Sequence, residues 1–182
     1  MGNREMDEVS GRVCLLILES TLEKGGSEEE LLAGLSLTAD DLRQPRSRVG
    51  WEEFTTLLER CRDCLGGLEA LDELGARHLG EPWPALARTL AGGVSNAAGL
   101  YALAQWNGPA AFTCTRAELK KLSDGRILQT IEIFPGFRDS PEFFYGMRGI
   151  IRATPRLLGQ SDAVVEMQLG PCRASYLITP PP

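Results

Sequence analysis

Cys61 and Cys64, three residues apart, and the single histidine, His78, are the residues of this chain best suited to chemistry. Three chemistries use such residues: a zinc site, a redox pair or a haem ligand. Zinc asks for four ligands, and its C-x-x-C normally lies in a turn. Here the pair sits inside "VGWEEFTTLLERCRDCLGG", a helical pattern, with no second C-x-x-C and no H-x-x-x-H. A redox C-x-x-C opens a helix, where the dipole lowers a thiol pKa, whereas this pair closes one. Buried thiols pack as small hydrophobes, and Cys61 and Cys64 are read that way. G-x-S-x-G, a Walker A loop and G-x-G-x-x-G after a strand are all absent. Any Ser–His or Cys–His device would have to use His78, and the sequence gives it no nucleophile. Glu28-Glu29-Glu30 and Asp40-Asp41 are consecutive carboxylates that point apart on a helix. They suit first-turn charges facing the helix dipole. No enzymatic activity is expected, and no cofactor or metal centre is assigned.

The elements that would position these residues begin as helices. Met6, Val9, Val13, Leu16 and Ile17 recur at helical steps from Met6 to Glu23, and Gly25-Gly26 stops the pattern. Ser27 with Glu30, and Thr38 with Asp41, have the spacing of capping boxes. Trp51, Phe54, Leu57, Leu58, Cys61 and Leu65 form one apolar stripe, closed by Gly66-Gly67. "LEALDELGARHLG", "PWPALARTLAGG" and "SNAAGLYALAQW" continue the helices. The period then changes to two. "AAFTCTRAELKKL" and "RILQTIEIF" alternate about Ser123-Asp124-Gly125, a hairpin signal. "SPEFFYGMRGIIRATPRLLG" returns to helix, with Ser140 as cap and Pro141 at the first position. "AVVEMQLGPCRASYLI" is a second hairpin turning at Gly170-Pro171. The predicted class is α+β: N-terminal helices followed by a four-stranded antiparallel sheet, in the order hairpin, helix, hairpin.

With 182 residues, 43% of them hydrophobic, the chain suits one domain, placed at 1–179. A net charge of -6 argues against nucleic acid and anionic membrane surfaces as partners. No stretch reaches the roughly 18 apolar residues of a membrane span. The N-terminus lacks the apolar core of a signal peptide. Five scattered cysteines then read as reduced thiols of a cytoplasmic protein.

Apolar residues offer a different role. Tyr101 and Trp106 precede the sheet, and Phe143, Phe144, Tyr145 and Met147 crowd the helix between the hairpins, beside Gly146 and Gly149. Aromatics beside small residues can line an apolar pocket. Trp51, Phe54, Tyr101, Trp106, Phe144, Met147 and Tyr176 are the candidate ligand-binding residues. Phe143, Phe144 and Tyr145 are consecutive and cannot all face one way, so at least one must meet solvent, a pocket or a partner.

Two stretches, "LLAGLSLTADDLRQPRSRVGWEEFTTLLERC" and "FFYGMRGIIRATPRLLGQSDAVVEMQ" with "ASYLITPPP", carry a resemblance. They look like the N-terminal input domains that precede the transmitter in some bacterial sensor histidine kinases and related signalling proteins. The layout is also similar to haem nitric-oxide/oxygen-binding domains and to the vinyl-reductase-type small-molecule-binding domain. The haem family's signature is Y-x-S-x-R, whose polar side chains hold the haem propionates. The comparable stretch here runs from Tyr176 to Pro180, with Ile178 and Pro180 in place of Ser and Arg. The resemblance implies a non-enzymatic, cytoplasmic sensory domain of a two-component system, usually dimeric. It would bind a small, mostly apolar ligand and signal to a C-terminal output domain of the same chain, with Pro180-Pro181-Pro182 opening a stiff linker. The alternatives are an interaction or dimerisation module without ligand, and a haem or metal sensor using His78.

Overall fold

The computed structural model describes residues 8–78, 98–102 and 110–181, and of His78 the backbone alone. In the helical part, β1 (Val9–Ser10) pairs antiparallel with β2 (Arg48–Val49). This pairing delays the first helix: α1 is Gly11–Leu22, and the Gly11 amide donates to the Ser47 carbonyl at 2.8 Å. The expected start at Met6 lies outside the described residues. In α2 (Glu28–Leu32) Ser27 accepts from the Glu30 amide, one half of the expected box. The full reciprocal box forms at α3 (Ala39–Arg43), between Thr38 and Asp41. α4 (Trp51–Leu65) ends where Gly66 adopts φ 90°, the left-handed conformation that closes helices. α5 (Leu68–His78) follows. The expected helix "PWPALARTLAGG" lies outside the described residues. Of "SNAAGLYALAQW", residues 98–102 are described and helical.

The sheet has the predicted strands: β3 (Thr115–Lys121), β4 (Ile127–Ile133), β5 (Val164–Gly170) and β6 (Arg173–Thr179). Its order is β3-β4-β6-β5, antiparallel throughout. The two hairpins therefore join through β4 and β6, with Ile131 opposite Ala174 and Gln129 opposite Tyr176. β3 starts later than its sequence pattern because Phe112 bridges back to Val9, tying the sheet to the helices. The second hairpin turns at Pro171-Cys172. Cys172 carries φ 51°, and its amide donates to Asp139 at 3.0 Å.

Between the hairpins, α6 (Pro141–Ala153) is capped by Ser140, which accepts from the Phe143 amide at 3.2 Å. It runs into a 3₁₀ turn over Thr154–Leu158. One face of α6 lies on the sheet, where the Tyr176 hydroxyl donates to the Phe144 carbonyl at 2.9 Å. Another face packs along α5. Ile127, Ile131, Ala174, Tyr176 and Ile178 form the sheet's buried side. The fold is thus the α+β architecture expected from the pattern of periods.

Candidate functional site

Helices α5 and α6 approach each other backbone to backbone. Any Cβ on Gly75 would overlap the Gly146 carbonyl oxygen. Any Cβ on Gly149 would overlap the Asp72 carbonyl and stand 2.8 Å from the Ala76 amide nitrogen. Glycine is required at both places because the two backbones touch.

Charge locks the same seam. Arg148, Arg152 and Arg156 fall at four-residue steps, on one side of α6 and its 3₁₀ extension. Asp72, only 4% exposed, accepts from Arg148 at 2.7 Å and from Arg152 at 2.8 Å. Arg148 also pairs with Glu69, and Arg152 with Glu73 at 2.8 Å and Asp162 at 2.7 Å. Arg156 donates twice to Asp162, at 2.5 and 2.8 Å. These bonds, Arg156's first, hold the Asp162 carboxyl below its ordinary pKa.

Where α1, α4, α5 and α6 converge, a cavity of about 40 Å³ remains. Phe54, Leu58, Leu71, Phe143 and Met147 line it, with Glu142 as the charged residue in its wall. Glu142 is 4% exposed and pairs with Arg62. Beside the cavity, Trp51, Phe54, Phe112, Phe143 and Phe144 form a continuous aromatic cluster with ring centroids 5.1–6.5 Å apart. Each such pair adds about 0.5–1.5 kcal/mol beyond the area it buries.

Of the seven candidate ligand-binding residues, Phe54 and Met147 line this cavity. Trp51, Tyr101, Phe144 and Tyr176 are at most 1% exposed and pack into the core. Their polar atoms have protein partners: Trp51 Nε1 donates to the Arg138 carbonyl at 2.8 Å, and the Tyr101 hydroxyl to that of Ile151 at 3.1 Å. Trp106 lies outside the described residues. The Phe143–Tyr145 run resolves simply. Phe143 and Phe144 are both buried, and Tyr145 is half-buried with the Arg148 guanidinium 4.6 Å above its ring.

Cys61 is buried, whereas Cys64, in the last turn of α4, is exposed. Burial pushes the Cys61 thiol up to about 11 and those of Cys14 and Cys114 to about 12. They stay protonated; Cys61 packs in the core as the sequence reading expects, whereas Cys64, read the same way, is exposed. The residues that the sequence reading missed are Asp72, Gly75 and Glu142. Their signal lies in partners far along the chain, since each is defined by what α6 or α4 brings against it.

No protein-family model matches the chain, and no curated protein matches it in sequence. Solved structures do match in fold. An H-NOX protein from S. oneidensis in its Fe(II)NO state is similar over 95% of this chain and 99% of its own, at 8% identity and TM-score 0.65. The Fe(II) unliganded H-NOX protein from K. algicida covers 95% and 97%, at 11% identity and TM-score 0.70. An oxygen-binding H-NOX domain related to soluble guanylate cyclases, in its oxygen complex, covers 93% and 92%, at 11% identity and TM-score 0.64. The fold is therefore that of H-NOX domains, one of the resemblances in the sequence. None of these three descriptions mentions a histidine kinase.

The described residues do not fit a haem. The apolar cavity is well below the ~300–1,000 Å³ of ordinary ligand pockets, and the wider hollow of about 580 Å³ over Asp41–Arg48 is a polar surface depression with no histidine, cysteine, methionine or tyrosine in its lining. No tyrosine in the chain is followed by Ser two and Arg four residues on. Among the described residues no three His, Cys, Asp or Glu side chains gather to hold a metal.

Proposed function

We propose that this chain is a non-enzymatic sensory domain on the H-NOX fold, passing a change in its helices to an output domain. The observation that carries the reading is the end-to-end likeness to H-NOX domains, with more than nine-tenths of both chains covered. Two of those three are described with nitric oxide or oxygen bound, and the third as unliganded Fe(II). That sets the haem sensor using His78 ahead of the free apolar ligand among the sequence's readings. The described residues offer haem no seat, so the proposal assigns the sensory role and not the cofactor. A ligand drives such a domain only by binding two conformations unequally.

The test is native mass spectrometry of the purified protein, followed by hydrogen exchange with and without whatever adduct it carries. The expected result is an adduct whose removal changes protection in α5 and α6. A clean apo mass with no ligand-dependent protection, in a dimer burying more than roughly 1,000 Å², would sink the sensory reading in favour of an interaction module.

A further inference from the structure

We infer that this chain keeps the fold of haem nitric-oxide- and oxygen-binding proteins without binding haem, the interior among its described residues being filled by their own helices and aromatic side chains. The inference goes beyond the sensory reading, which holds for a haem-free sensor equally well.

The first argument is space. A porphyrin is a flat macrocycle and needs a slot between two elements. Between α5 and α6 there is none, because Gly75 meets Gly146 and Gly149 meets Asp72 backbone to backbone. Between α6 and the sheet there is none either, since Tyr176 bonds directly to the Phe144 carbonyl and both residues are fully buried. Where the four helices converge, the aromatic cluster leaves about 40 Å³, enough for a water-sized or diatomic molecule.

The second argument is ligands. A haem needs an axial donor and cationic or hydroxyl groups for its propionates. Among the described side chains, which do not include that of His78, Tyr101 and Tyr176 spend their hydroxyl protons on backbone carbonyls. Buried Cys14, Cys61 and Cys114 are held as thiols, and a thiol is not the ligating form. The arginines of α6 and the turn after it, a natural propionate grip, are engaged by Glu69, Asp72, Glu73 and Asp162. Freeing Arg148 would leave Glu69 without this partner, and freeing Arg152 would leave Glu73 without it.

The experiment uses the full chain, expressed in cells supplied with a haem precursor and iron, then titrated with haemin after purification. Wild type and His78→Ala are compared by visible absorption and native mass. The expected result is a colourless protein that takes up haemin substoichiometrically and equally in both forms, which is surface adsorption. One haem per chain with a sharp Soret band that is shifted or lost in His78→Ala would overturn the inference. One haem per chain unaffected by His78→Ala would overturn it too, and would point to another axial donor. Neither overturning result touches the sensory proposal, which rests on adduct-dependent exchange.

Discussion

Gly149→Ala and Gly146→Ala, three residues apart on one helix, should change stability in opposite directions. The Cβ of Gly149→Ala would stand 2.7 Å from the Asp72 carbonyl carbon and 2.8 Å from the Ala76 nitrogen, with the Asp72 oxygen closer still. Ordinary contact begins near 3.4 Å, so α5 and α6 must part by about an ångström in an interior packed like a crystal. Backbone atoms cannot turn aside as a side-chain end can, which puts the overpacking cost near the top of the usual ~1–3 kcal/mol. Separation also stretches the Asp72 bonds to Arg148 and Arg152, adding ~1–3 kcal/mol for a buried charged group. Alanine's better helix propensity returns about 1 kcal/mol. The net is a loss of roughly 3–5 kcal/mol, or about 6–20 °C in Tm for a chain of this length. At Gly146 an added Cβ meets nothing within 4 Å, so only the propensity gain remains, a rise of roughly 2–4 °C. Calorimetry or circular dichroism melts of the two variants measure this directly. Equal destabilisation, or a Gly149→Ala protein as stable as the parent, would refute a backbone-to-backbone seam.

Three further outcomes follow from the same contacts. Asp72→Asn keeps the shape but removes the charge shared by Arg148 and Arg152; urea titration should show a loss of about 1–3 kcal/mol, and a neutral result would mean Glu69, Glu73 and Asp162 suffice. Cys64 is exposed while Cys14, Cys61 and Cys114 are buried with raised pKa values; a thiol reagent at neutral pH should modify Cys64 first and those three only on unfolding, and mass mapping that finds Cys14 or Cys61 equally fast would contradict the packing. Asp162, held low first by Arg156, and Glu132, held low first by Arg116, have folded pKa values below their unfolded ones; their stabilisation is present above the ordinary carboxylate range and is lost as pH falls through the folded values, so acid melts of Asp162→Asn should be flatter with pH than those of the parent.

What could be read from the sequence was whatever is set locally. The Thr38–Asp41 box, the Gly66 stop, the Ser140-Pro141 start and the Ser123-Asp124-Gly125 turn each depend on a few neighbouring residues, and each is found where the sequence places it. In β4 the period of two places Ile127, Gln129, Ile131 and Ile133 on the buried face, but Thr130 is buried as well and Leu128 only half-buried, so the alternation tells burial in part. Even the start of α1 went astray for a long-range reason: Val9 and Ser10 pair with residues some forty positions away. The site was less legible for the same cause. Gly75 and Gly149 look like ordinary helix-weakening glycines until α5 and α6 are laid together. Asp72 looks like one more surface carboxylate until Arg148 and Arg152 close over it.

This difference in legibility bears on function. A fold is held by patterns of period, cap and turn that many residues satisfy, and it survives here at 8–12% identity to H-NOX domains. A cofactor is held by a few residues of fixed type, and those are single points in the sequence. Substitution erodes points faster than patterns, so an architecture can persist after its cofactor's grip is gone. In this chain the Y-x-S-x-R grip is absent and the α6 arginines face carboxylates of α5 and the following loop instead. Those pairs give the seam a stabilising role that does not need a haem.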